Sequence, residues 1–81
     1  MNDMVLIRWY DARFYQGTYS KQEILKHKMC LFESLGYLVT KDAVTTKIAS
    51  ELNDESQYRD ITLIPSGSII SIQKLSTVFS V

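Results

Sequence analysis

One cysteine, one proline, one histidine and three glycines in 81 residues close off several ways of stabilising a small protein. Cys30 has no second thiol to pair with, so no intrachain disulfide forms, and one thiol with one histidine falls short of a structural zinc site. Nine basic residues against nine acidic leave no net charge, which removes the chain-wide positive field that draws proteins to nucleic acid. No apolar run approaches the ~20 residues of a membrane helix. Asn2 and Asp3 stand where an export signal carries positive charge, and Val5-Leu6-Ile7 is too short for its apolar segment. The expectation is a soluble cytoplasmic protein without metal, cofactor or membrane partner.

The missing staples matter because ordering a chain costs ~1–2 kcal/mol of backbone entropy per residue, and a chain this short buries only a small core. Residues 1–81 therefore make one domain, and oligomerisation is the support that remains.

What the chain does have is β pattern. From Met4 to Asp11, Val5, Ile7 and Trp9 fall on one face and Leu6, Arg8 and Tyr10 on the other, which predicts a first strand. The period is lost from Ala12 to Tyr19, a loop crowded with aromatics around Gly17. Ser20-Lys21-Gln22-Glu23 fits a capping box and predicts a short helix to about Lys26. So brief a helix is marginal alone, so it is expected to dock at the mouth of the sheet. Met29 to Thr40 is a long strand with Gly36 as its bend or bulge, and Lys41-Asp42-Ala43 makes a hairpin connection.

Val44 to Leu52 alternates cleanly as a third strand, and Asn53 to Asp60 reads as an exposed polar loop. The fourth strand, Ile61 to Ile64, ends at Pro65, which lacks the N–H a ladder uses. Ile69 to Lys74 is the fifth, and its run of isoleucines predicts cover on both sides. Pro65-Ser66-Gly67-Ser68 is too short a link for a crossover helix and reads as a closing corner. The tail Ser76 to Val81 stays β-prone, suited either to this protein's own sheet or to a neighbour's edge.

Trp9-Tyr10-Asp11, Gly36-Tyr37-Leu38 and the closing Ile61-Thr62-Leu63-Ile64-Pro65 with Ile69-Ile70-Ser71-Ile72 resemble small phage and bacterial proteins with an Sm-like fold. The resemblance spans about Val5 to Leu75. It implies an all-β chain, a five-stranded, strongly bent barrel of Sm-like or SH3 type with one short helix between its first two strands. It also implies a tendency to form rings. The RNA-reading parts of Sm proteins do not carry over. Lys41-Asp42-Ala43-Val44-Thr45 lacks the Asn that completes their Asp-x-x-x-Asn signature, and Pro65-Ser66-Gly67-Ser68 replaces the Tyr-Lys-His of the bacterial RNA chaperones.

Five of the nine aromatics lie between Trp9 and Tyr19. Trp9, Tyr10, Phe14, Tyr15 and Tyr19, with Arg13, Lys26 and Lys28, make a candidate binding surface that stacks bases and meets phosphates. The competing reading is packing, since a small sheet needs large rings to cover its ends. Lys26-His27-Lys28 also fits a solvated helix end, Cys30 a buried inert thiol, and Asp54-Glu55 with Asp60 a solvated turn without calcium-loop spacing. No acid, base and nucleophile converge, so the sequence points to a non-enzymatic assembly or adaptor module that joins copies through sheet edges. A nucleic-acid-binding barrel is the alternative.

Overall fold

The computed structural model of the chain describes residues 3–75, so the expected tail strand at 76–81 lies outside the described residues. The described chain is mainly β. In order it holds β1 (Met4–Asp11), α1 (Lys21–Ile24), β2 (Cys30–Lys41), β3 (Thr45–Leu52), β4 (Tyr58–Pro65), a 3-10 turn (Ser66–Ser68) and β5 (Ile69–Lys74). The strands form one antiparallel sheet in the order β4-β3-β2-β1-β5. The first and last strands coincide with their predicted limits. β4 begins three residues earlier than the polarity of Tyr58-Arg59-Asp60 suggests, because Arg59 and Tyr58 pair with Glu51 and Leu52.

The core is the inner face of this sheet. Val5, Ile7, Ile48 and Ile64 are buried together, with Trp9, Leu38, Ile69 and Ile72 packed around them. Thr46 is the one buried polar residue among those described, and its hydroxyl lies 2.9 Å from Ser66 Oγ. Ser66 spends its own proton on the Asp42 carbonyl at 2.7 Å, so Thr46 is the donor to Ser66 and the buried hydroxyl is satisfied.

β4 and β5, joined at Pro65, do not pair with each other; they hold opposite edges of the sheet. In a flat five-stranded sheet those edges lie about 19 Å apart, whereas a three-residue 3-10 turn rises only about 6 Å. The sheet must therefore bend enough to bring the end of β4 to the start of β5, but the two edge strands do not pair and the sheet is not closed into the expected barrel. Ser66 pins the corner to the β2–β3 turn through its amide, which donates to the Val44 carbonyl at 3.0 Å.

Gly36 sits where β2 changes partners. A Cβ there would stand 2.7 Å from the Ala49 carbonyl oxygen and 3.3 Å from the Ile48 side chain. The register shift itself falls further on, between Leu38 and Thr40, and β5 has another opposite Arg8 and Trp9. That second irregularity leaves Ile70 half exposed, so within one chain β5 is covered on the core side, by Ile69 and Ile72, and open on the other.

In the turn between β2 and β3, Asp42 Oδ1 accepts from the amides of Val44 and Thr45, both at 2.8 Å. These bonds, Thr45's the larger effect, hold the Asp42 carboxyl below the usual carboxylate range, with Lys47 adding a smaller pull. A lowered native value means the ionised form stabilises the fold above the unfolded-chain value, and that contribution is lost as pH falls through the native value. In urea titrations the advantage of the wild type over Asp42→Asn is expected to be full near neutrality and to shrink below about pH 4.

Candidate functional site

The eight-pair ladder of β1 and β2 runs from Met4 opposite Tyr37 to Asp11 opposite Cys30. Neither neighbour follows it to that end. β5 reaches only to Trp9, and β3 pairs with β2 only from Tyr37 onward. The hairpin thus extends beyond the body of the sheet as a two-stranded arm, with the edge of β2 from Cys30 to Gly36 bare on its far side. The chain measures 54 × 24 × 22 Å, with a radius of gyration of 16.6 Å where a compact domain of this length has about 12 Å.

The loop at the end of the arm is built on rings. Tyr15 and His27 stack face to face at 3.8 Å with planes 4° apart, and Tyr19 meets His27 edge-on at 4.7 Å. Arg13 lies over the Tyr15 ring at 5.3 Å. The Tyr15 hydroxyl donates to the Lys28 carbonyl at 3.1 Å, and the Tyr19 hydroxyl to the Gln16 carbonyl at 2.7 Å. Gly17, at φ 114°, supplies the left-handed turn that brings Tyr15 and Tyr19 to the same histidine. Here His27, expected to be solvated between Lys26 and Lys28, is instead the ring on which the loop closes.

Helix α1 has its full capping box. Ser20 Oγ accepts from the Glu23 amide at 3.2 Å, and the Glu23 carboxylate accepts from the Ser20 amide at 3.5 Å. It ends at Ile24, with a turn through Lys26, and it buries none of its residues. Ile24 is 53% exposed and Leu25 75%, so the expected docking at the mouth of the sheet does not occur. The cap and the ring cluster hold the backbone locally, which removes the need for a docking surface under the helix.

The eight candidate residues divide. Trp9 belongs to the core: it stacks on Phe32 with centroids 5.6 Å apart, and its indole N–H donates to Ser34 Oγ at 3.0 Å. Tyr15 and Tyr19 serve the cluster, with Arg13 against it. Tyr10 lines an open groove of about 610 Å³ with His27, Lys28, Met29 and Leu31. Lys26 and Lys28 are exposed, and Phe14 is 88% exposed. His27, Met29 and Leu31 were missed because ring stacking and cross-strand register, not local sequence, bring them to Tyr10. The Tyr10–Leu31 pair follows only once Asp11 is set opposite Cys30.

Cys30, at the first position of β2, is half-buried rather than fully buried as expected, and Lys28 lies outside the strand. Among the described residues no helix is long and apolar enough to cross a membrane, and no three metal-binding side chains cluster. Comparison of the chain with protein-family models, curated protein sequences and solved structures gives no match.

Proposed function

We propose that this chain is a non-enzymatic assembly module that forms a homo-oligomer by joining sheet edges, its curled sheet completed as an Sm-like barrel ring rather than within one copy. The observation that carries the reading is exposed surface. The chain exposes 6749 Å², where a compact monomer of 9.3 kDa exposes about 5,000 Å². The exposed apolar side chains include residues of both outer strands, with Leu63 59% exposed and Ile61 and Ile70 about half exposed. Unpaired edges with apolar side chains invite another strand.

The parity of β4 sets which backbone donors such joining would use. Because the Ser66 amide donates to Val44, ladder alternation turns the N–H groups of residues 64 and 62 toward β3 and those of Ile61 and Leu63 outward. Pro65 shares the outward parity, so its missing N–H costs β3 nothing. Leu63→Pro removes an outward donor without removing a β3 bond. It is expected to convert the oligomer to monomer in sedimentation velocity at micromolar concentration, with far-ultraviolet circular dichroism retained. A wild-type chain that sediments only as a monomer would refute the reading.

A second reading, single-stranded nucleic acid, has the exposed Phe14 beside Arg13 in its favour. Against it, the Tyr15 ring is already engaged by His27 and Arg13. Absence of binding to a labelled strand in low salt removes it.

A further inference from the structure

We infer that the basic loop between β1 and β2 docks on the acidic β3–β4 turn of a second copy of this chain. This rests on the homo-oligomer reading and names the surfaces through which two copies meet.

The zero net charge hides a segregation. Between Ala12 and Met29 stand Arg13, Lys21, Lys26 and Lys28 against the single carboxylate of Glu23. Between Glu51 and Asp60 stand Glu51, Asp54, Glu55 and Asp60 against the single cation Arg59. The register brings both segments to the same end of the sheet, since Cys30 begins β2 there and the antiparallel β3 runs toward it past Ala49. Yet β2 and β3 part beyond the Tyr37–Ala49 pair, and the ion pairs among the described residues are Arg59 with Glu51 and Lys74 with Asp3. No cation of the loop is neutralised by the turn of its own copy.

Both surfaces are formed in advance. On the acidic side Asn53 Oδ1 accepts from the amides of Glu55 at 3.0 Å and Gln57 at 2.9 Å, and Asn53 Nδ2 donates to Gln57 Oε1 at 3.0 Å, which holds Asp54 and Glu55 on an ordered turn. On the basic side the His27 cluster and the Ser20 cap hold the loop. Its undocked Ile24 and Leu25 and the groove at Tyr10, Met29 and Leu31 supply apolar surface that the half-exposed Ile61, next to Asp60 on β4, matches. Preorganised, oppositely charged surfaces lose little entropy on meeting. Each copy carries one surface of each sign, so the loop of one copy on the turn of the next repeats the same contact around a ring.

The test is a charge exchange. Lys26→Glu with Lys28→Glu makes one variant, and Asp54→Lys with Glu55→Lys another; all four positions are exposed, so each variant is expected to fold. In sedimentation velocity each variant alone is expected to associate at least about tenfold more weakly than the wild type, and an equimolar mixture to recover wild-type association. Wild-type association is expected to weaken by a similar factor between about 50 mM and 500 mM salt. Variants that associate as the wild type does, or a mixture that does not recover, overturn the inference while leaving edge joining in place. A wild type that is monomeric throughout overturns both.

Discussion

Replacing Ile7 with alanine is expected to lower the free energy of unfolding by about 3 kcal/mol, the middle of the range for a buried isoleucine cut to its Cβ. Ile7 has no exposed surface and stands at the centre of β1, the strand that holds β2 on one side and β5 on the other. Ser34 faces it on β2 and Ile72 on β5, so the space left by the lost carbons lies between paired strands that cannot close over it without giving up register. The loss is a large fraction of the 5–15 kcal/mol typical of a whole domain. With a urea slope of about 1 kcal/mol per molar, the midpoint should fall by about 3 M, or the native baseline should disappear. Ile7→Val should cost about 1 kcal/mol. A midpoint for Ile7→Ala within about 0.5 M of wild type would show that the inner face of this sheet is not the core.

Gly36→Ala is expected to be nearly as damaging, about 2–3 kcal/mol, although it adds a single methyl group. At most sites a glycine-to-alanine change gains about 0.4–1 kcal/mol by restricting the unfolded chain. Here the new carbon would stand 2.7 Å from a backbone oxygen of β3, and neither strand can yield without breaking the pairs from Tyr37 to Lys41. The neighbouring Ile48 side chain, at 3.3 Å, is itself in the core and cannot turn away. Gly67 provides the control, since a Cβ there meets nothing within 4 Å, and Gly67→Ala should stay within about 0.5 kcal/mol of wild type. Equal thermal midpoints for the two variants would mean that β2 and β3 do not approach closely at Gly36.

Much of the fold is legible in the sequence. Alternation marked Met4–Asp11 because one face of that strand is buried and the other is not, and this contrast is what a period of two records. Ser20 and Glu23 announced their helix because a capping box is local chemistry that any context preserves. Tyr58-Arg59-Asp60 misled because β4 is an edge strand whose exposed side chains carry no apolar period, even though its backbone is paired. Asp60 even adopts a left-handed φ of 57° within the strand, a conformation that aspartate tolerates and that residue-type preferences for strands do not anticipate. The docking expected of α1 failed for a different reason: local hydrogen bonds and stacked rings replaced the tertiary packing that a short helix usually depends on.

The candidate surface was only half legible. A run of aromatics and cations shows that rings and charges are close in the chain, but it cannot say which rings face each other. Trp9 left the group for the core because Phe32 and Ser34 stand across the ladder from it and from Ile7, while His27 entered the cluster because a loop brought it onto Tyr15.

By itself the sequence determined the number and hand-off of the strands, the capped helix, the turn at Asp42 and the stop at Pro65, since each depends on residues within a few positions of one another. Tertiary structure alone decided that β4 and β5 take opposite edges of a curled sheet, that β2 leaves β3 at Gly36, and that the cations of one loop and the carboxylates of another come to the same end without meeting. Those outcomes depend on register and on backbone approach between segments far apart in the chain, and no local pattern encodes either.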